Sequence, residues 1–133
     1  MQTFNNPALK DLIELAISSG ASDIHLSSGT LPALRVHGEL NYIKQSVVFT
    51  RESLEEFISQ ILTQAQYERF QRTGDLDFAF TFGLQRFRGS AYKEMRGLSL
   101  TFRLVPSIIR SLDELGLPEI LKTMAYKHRG LFL

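Results

Sequence analysis

From Asp75 to Pro106 the chain is written in twos. Leu76, Phe78, Phe80 and Phe82 alternate with Asp75, Asp77, Ala79 and Thr81. Successive side chains of a strand point to opposite faces, so this run presents one apolar and one polar face. Gln85 to Glu94 and Leu98 to Leu104 follow as strands around Met95-Arg96-Gly97, and Pro106 closes the series. The stretch predicts a three-stranded antiparallel meander that buries one side.

That ribbon carries four arginines, Arg86, Arg88, Arg96 and Arg103. Arg86 and Arg88 share a strand face, with Phe87 on the other. On the return strand Leu98, Leu100, Phe102 and Leu104 alternate with Ser99, Thr101 and Arg103. A two-residue loop, either Met95-Arg96 or Arg96-Gly97, brings Arg103 onto the face of Arg86 and Arg88. A three-residue loop places it on the opposite side. Gly97 favours a tight turn without fixing its length. Like charges opposed across strands are destabilising, so something must offset them. Asp75 and Asp77 on the preceding strand could do so by cross-strand pairing. The alternative is a phosphate-bearing ligand, gripped by planar guanidiniums in a bidentate fashion that lysine cannot match. Two carboxylates cannot saturate three or four guanidiniums, which favours the clamp.

The basic character is local. The net charge of the 133 residues is +1, and nothing global argues for nucleic acid or an anionic membrane. Between Tyr67 and Arg110, however, Arg69, Arg72, Arg86, Arg88, Lys93, Arg96, Arg103 and Arg110 face only Glu68, Asp75, Asp77 and Glu94. The chain has no cysteine, which excludes disulfides and thiolate metal sites and fits the cytoplasm. No apolar run approaches the roughly 18 residues that a membrane span needs, and the start lacks the features of a signal peptide.

The flanking segments read as mixed helix and strand. Asn6 caps a helix opened by Pro7, with Leu9, Leu12, Ile13, Ala16 and Ile17 as its stripe and Gly20 as its stop. Ser22–Ser28, Ala33–His37 and Leu40–Lys44 form a small meander of short strands. Thr50 caps a second helix, and Thr63 with Gln66 makes a capping box for a third that ends at Gly74. Ser111 with Glu114 suggests one further turn of helix, and Pro118 opens a last helix through Tyr126. The order α-βββ-αα-βββ-α predicts an α+β domain with a helix-flanked antiparallel sheet. After Arg129, Gly130-Leu131-Phe132-Leu133 looks like the opening of a buried strand whose continuation belongs to another domain.

Asp23, His25, His37 and Glu39 invite a metal-site test. On a hairpin pairing Ser28 with Ala33, His25 lies opposite Val36 and His37 opposite Ile24, so the imidazoles face different sides. A structural role, with the imidazole bonded to backbone, is expected instead, and no metal. No serine or cysteine nucleophile motif occurs, and Gly83, Gly89 and Gly97 do not sit at a strand-to-helix turn as a phosphate-binding loop requires. No catalytic residue is expected within the chain.

ASDIHLSSGTLPALRVHGEL, LDFAF, RFRGSAYKEMRG, FRLVPSIIRSLDELGLP and the final RGLFL occur in that order. Together they resemble the N-terminal domain of PilT-like type IV pilus retraction ATPases, within the type II/IV secretion ATPase superfamily. The match runs from about Leu9 to Leu133. It implies a PAS-like domain over residues 1–128, with 129–133 starting the first strand of a RecA-like ATPase core that carries the nucleotide loop. It further implies ATP and Mg²⁺ as cofactors of the whole protein, with none expected in these 133 residues. The implied assembly is a homohexameric ring at the cytoplasmic face of the inner membrane, acting on pili through a membrane platform protein. By the same resemblance Arg86, Arg88, Arg96 and Arg103 are the candidates for nucleotide phosphate. Gly89-Ser90 stands where the family usually has Val-Asn, which softens the strand, and His37 stands where Asp is common. A pilus-assembly or type II secretion ATPase remains open on this reading. So does a free-standing anion- or nucleic-acid-binding module, because Phe87, Tyr92 and Phe102 interleave the arginines.

Overall fold

The computed structural model of the chain describes residues 5–95 and 97–133. In α1 (Pro7–Ser18) the Asn6 side chain accepts a hydrogen bond from the Leu9 N–H, and Leu9, Leu12, Ile13 and Ala16 are buried. Three short strands follow, β1 (Asp23–Ser27), β2 (Ala33–Val36) and β3 (Glu39–Tyr42). Thr50 caps α2 (Arg51–Ile61), which buries Leu54, Phe57, Ile58 and Ile61. The expected reciprocal box of Thr63 and Gln66 opens α3 (Gln64–Thr73), and Gly74 closes it with φ 81°. Then come β4 (Asp75–Phe82), β5 (Gln85–Glu94), β6 (Gly97–Val105) and α4 (Ile120–Ala125).

Two expected helices are smaller than their signals. Ser111 and Glu114 do make both capping bonds, at 2.7 and 3.3 Å, but the segment is a turn. The last helix occupies Ile120–Ala125 and buries no residue. A short helix draws its stability from tertiary packing of an apolar face, and this one has little to pack on.

The six strands form one antiparallel sheet in the order β3-β2-β1-β6-β5-β4. Its centre is the β1–β6 pair, which joins the N-terminal meander to the 75–105 ribbon. Helices α1, α2 and α3 cover one face: Leu12, Phe57 and Phe70 share a core with Ile24, Phe80, Phe87, Leu98 and Phe102. Phe80 stacks on Phe87 at 4.9 Å, and Phe102 meets Phe57 and Phe80 edge-on at 5.6 and 5.1 Å. The other face is polar, as an antiparallel sheet allows when one side is solvated.

The β1–β2 register corrects the expected hairpin. His25 pairs with Ala33 and Asp23 with Arg35. Ser28 is taken by β6 instead, its N–H donating to the Leu98 carbonyl and its hydroxyl accepting from the Leu98 N–H. His37, with φ 50°, then falls in the two-residue turn beside Gly38.

Gly89 is buried, and a Cβ there would lie 2.6 Å from the Phe78 ring and 3.2 Å from Phe102. Two aromatic rings thus occupy the space of the missing side chain, so this glycine is a packing requirement more than a softening of the strand. Gly89→Ala should cost about 1–3 kcal/mol through overpacking. Denaturant unfolding checks this, and an unchanged midpoint would show that the rings yield without strain.

Candidate anion-binding site

Glu94 faces Gly97 across β5 and β6, so the two-residue alternative applies and Arg103 lies directly opposite Arg88. Arg86 faces Val105 on the same side of the sheet. Arg96 lies outside the described residues. Register across all six strands sets one transverse row, Leu40–Arg35–Asp23–Arg103–Arg88–Ala79. The neighbouring row is Tyr42–Ala33–His25–Thr101–Ser90–Asp77. The two rows meet in an open concavity of about 540 Å³ lined by Arg88, Arg103, Asp23, Asp77, Ser90 and Thr101, with Phe78 and Gly89.

The offsetting carboxylate is neither Asp75 nor Asp77. Asp77 accepts from the Ser90 hydroxyl, and Asp75 sits opposite Tyr92. Asp23 of β1 fills that place instead. Its Oδ1 accepts from Arg103 Nε at 2.9 Å, and its Oδ2 accepts from Ser22 Oγ at 2.8 Å and lies 3.5 Å from Arg35 Nε. Burial pushes the Asp23 carboxyl up, but the hydrogen bonds from Arg103 and Ser22 and the Arg103 charge outweigh it, so its pKa lies below the ordinary value. Arg86 and Arg88 are exposed and their side chains have no hydrogen-bond or ion-pair partner among the described residues. Arg86 does not line the concavity.

His25 does not make the backbone bond expected of it. Its Nε2 is buried without a hydrogen-bond partner among the described residues. Burial lowers its pKa, Asp23 opposes that, and Arg35 and Arg103 reinforce it. The fold therefore favours neutral His25, whereas the unfolded chain takes up a proton near pH 6.5. Stability is full above that pH and falls as pH drops below it. The melting temperature should fall between pH 7.5 and 5.5, and His25→Gln should flatten that slope. An equal slope in both proteins would place the titrating group elsewhere. Among the described residues no cluster of three or more acidic or histidine ligands could hold a metal ion, and no helix is long and apolar enough to cross a membrane.

No family model matches the chain. It is 32% identical over 126 residues to the type IV pilus retraction ATPase PilT of Pseudomonas aeruginosa, covering 94% of this chain and 36% of that protein. The chain is homologous to the PilT-like type IV pilus ATPases. To the type IV pilus ATPase PilU of the same organism it is 29% identical over 123 residues, covering 92% of this chain and 32% of the relative. The crystal structure of the pilus retraction motor PilT with bound ADP superposes with a TM-score of 0.77 at 26% identity, over 88% of this chain and 34% of that one. The six-stranded α+β architecture thus matches the N-terminal domain of PilT. The chain spans about a third of the length of these PilT-like relatives.

Sequence reasoning misses two features of this site. It presents Asp23 only as a metal ligand, although alternation with buried Ile24 and Leu26 already puts that residue on the polar face. Arg35 does not stand out at all, and its place opposite Asp23 follows from a pairing that local pattern does not reveal.

Proposed function

We propose that this chain is the N-terminal regulatory domain of a hexameric ATPase that powers type IV pilus retraction. In this reading residues 1–128 form the domain, and 129–133 begin the first strand of an ATPase core that binds ATP and Mg²⁺. The ribbon supplies arginines to the phosphates of nucleotide held by that core. Arg88 and Arg103 are the centre of the set, Arg86 lies on the same face, and Arg96 completes the candidates. The ring works at the cytoplasmic face of the inner membrane against a platform protein.

The observation that carries the reading is Arg88: an exposed guanidinium without a side-chain partner among the described residues, directly opposite a second arginine, in a concavity. Such a pair is unfavourable until an anion neutralises it, and a phosphate gives each guanidinium a charge-assisted, bidentate bond. The ADP bound in the PilT structure supports a nucleotide phosphate as that anion. Exposed Ile108, Ile109, Leu131 and Phe132 support a further domain packing on the last segment.

Nothing among the described residues positions Mg²⁺ or a water nucleophile for phosphoryl transfer. The isolated chain should therefore show no ATP turnover, while the protein continuing past Leu133 should hydrolyse ATP. Turnover by the isolated chain that disappears with Arg88→Ala would overturn the assignment. The direction of the motor is tested in cells. Deleting the gene should leave pili assembled but unable to retract, and loss of the pili themselves would identify an assembly motor.

A further inference from the structure

Asp23 occupies an unusual place on the polar face. Its side chain is 6% exposed, whereas that of its partner Arg103 is 72% exposed. In the transverse row it stands between Arg35 and Arg103, with Arg88 next beyond Arg103. Both its oxygens are engaged, Oδ1 by Arg103 Nε and Oδ2 by the Ser22 hydroxyl with Arg35 close by. A pair with so exposed a guanidinium contributes little to stability in water. Its geometry is better suited to orientation. Asp23 takes the Nε donor, the one nearest the chain, and the terminal amino groups of the Arg103 fork make no hydrogen bond among the described residues. A carboxylate acting as a competitor for the ligand would take those terminal groups.

We propose that Asp23 is the positioning residue of this site: by its bond to Arg103 Nε it holds that guanidinium so that its terminal amino groups and Arg88 meet one multiply charged phosphate. The proposal rests on the phosphate reading above and assigns the two arginines different tasks. Arg103 is pinned and preorganised. Arg88 closes on the ligand from the facing strand. Ser22 steadies the pin through the second carboxylate oxygen.

A double-mutant cycle in the ATP-hydrolysing longer protein tests this, because Asp23→Asn has two opposed effects. Removing a negative charge favours any anion and acts whether or not Arg103 is present. Releasing the guanidinium acts only through Arg103. With Arg103 in place, Asp23→Asn should lower kcat by about 10–100-fold, the scale of a misplaced catalytic group. In the Arg103→Ala background it should leave kcat unchanged or slightly raised. On this chain alone, the Arg103 Nε–H resonance should be distinct and slow to exchange with solvent, and Asp23→Asn should merge it with those of the other arginines. Equal effects of Asp23→Asn in the two backgrounds would make Asp23 a plain charge and overturn the proposal. If Arg88→Ala and Arg103→Ala both leave turnover intact, the phosphate reading itself falls, an outcome separable from failure of Asp23 alone. Should Asp23→Asn not fold, Ser22→Ala supplies the same cycle with a smaller loss of the same sign, and the same criterion decides.

Discussion

Arg88→Ala in the longer protein is expected to lower ATP turnover by about 10²–10³-fold, the effect of losing one donor aimed at developing phosphate charge, worth about 2.7–4 kcal/mol of barrier. Its thermal stability should stay level or rise. Arg88 has no side-chain partner among the described residues and faces Arg103 across the strands, so truncation breaks no bond and relieves a like-charge pair. Arg103→Ala should also cut turnover, but it strips a donor from buried Asp23, which keeps Ser22 and Arg35, and so carries a small stability cost that Arg88→Ala does not. Measuring turnover and melting on both variants separates the two arginines. Normal turnover per folded molecule in Arg88→Ala would remove this face from the mechanism.

The parts of this arrangement that are legible in the sequence are those governed by local periodicity. The alternation of Phe78, Phe80 and Phe82 sets which side of β4 is buried, and Asn6, Thr50 and the Thr63–Gln66 box start their helices where expected. What local pattern does not contain is which strand lies beside which. Asp23 meets Arg103 across a separation of 80 residues, because β1 inserts beside β6 at the centre of the sheet. Asp75 and Asp77, nearer in sequence, are the partners that proximity along the chain suggests. The turn between β4 and β5 excludes them. A two-residue turn at Gly83-Leu84, with Gly83 at φ 58°, pairs Phe82 with Gln85. That register sets Arg86 opposite Thr81 and Arg88 opposite Ala79, leaving Asp77 to Ser90. Counting outward from a tight turn at Gly83 is therefore enough to deny both arginines a carboxylate directly opposite on β4.

The largest expected loss of stability is at Phe102. It is fully buried and its ring meets Phe57 at 5.6 Å, Phe78 at 6.2 Å and Phe80 at 5.1 Å. It therefore ties β6 to β4 and to α2 at once. Phe102→Ala removes the transfer free energy of the ring and leaves a cavity that several rigid neighbours cannot close, at a cost of about 3–5 kcal/mol. Against a typical total of about 5–15 kcal/mol, that is a fifth or more of the fold, and denaturant unfolding should show the midpoint displaced accordingly. The consequence reaches the arginines through the period of the strand. Phe102 points inward because Arg103 points outward, and a one-residue slip would exchange them. Burying a guanidinium in place of the ring is far costlier than the cavity, so the truncated strand should keep its register. Phe102→Ala at a temperature where it remains folded should accordingly retain the Arg103–Asp23 pair, visible as an unshifted Arg103 Nε–H resonance. A large stability loss with that signal preserved would show that the core fixes how stable the face is, while alternation fixes which way it points. A lost signal in the folded variant would show instead that the Phe102 ring itself holds the register.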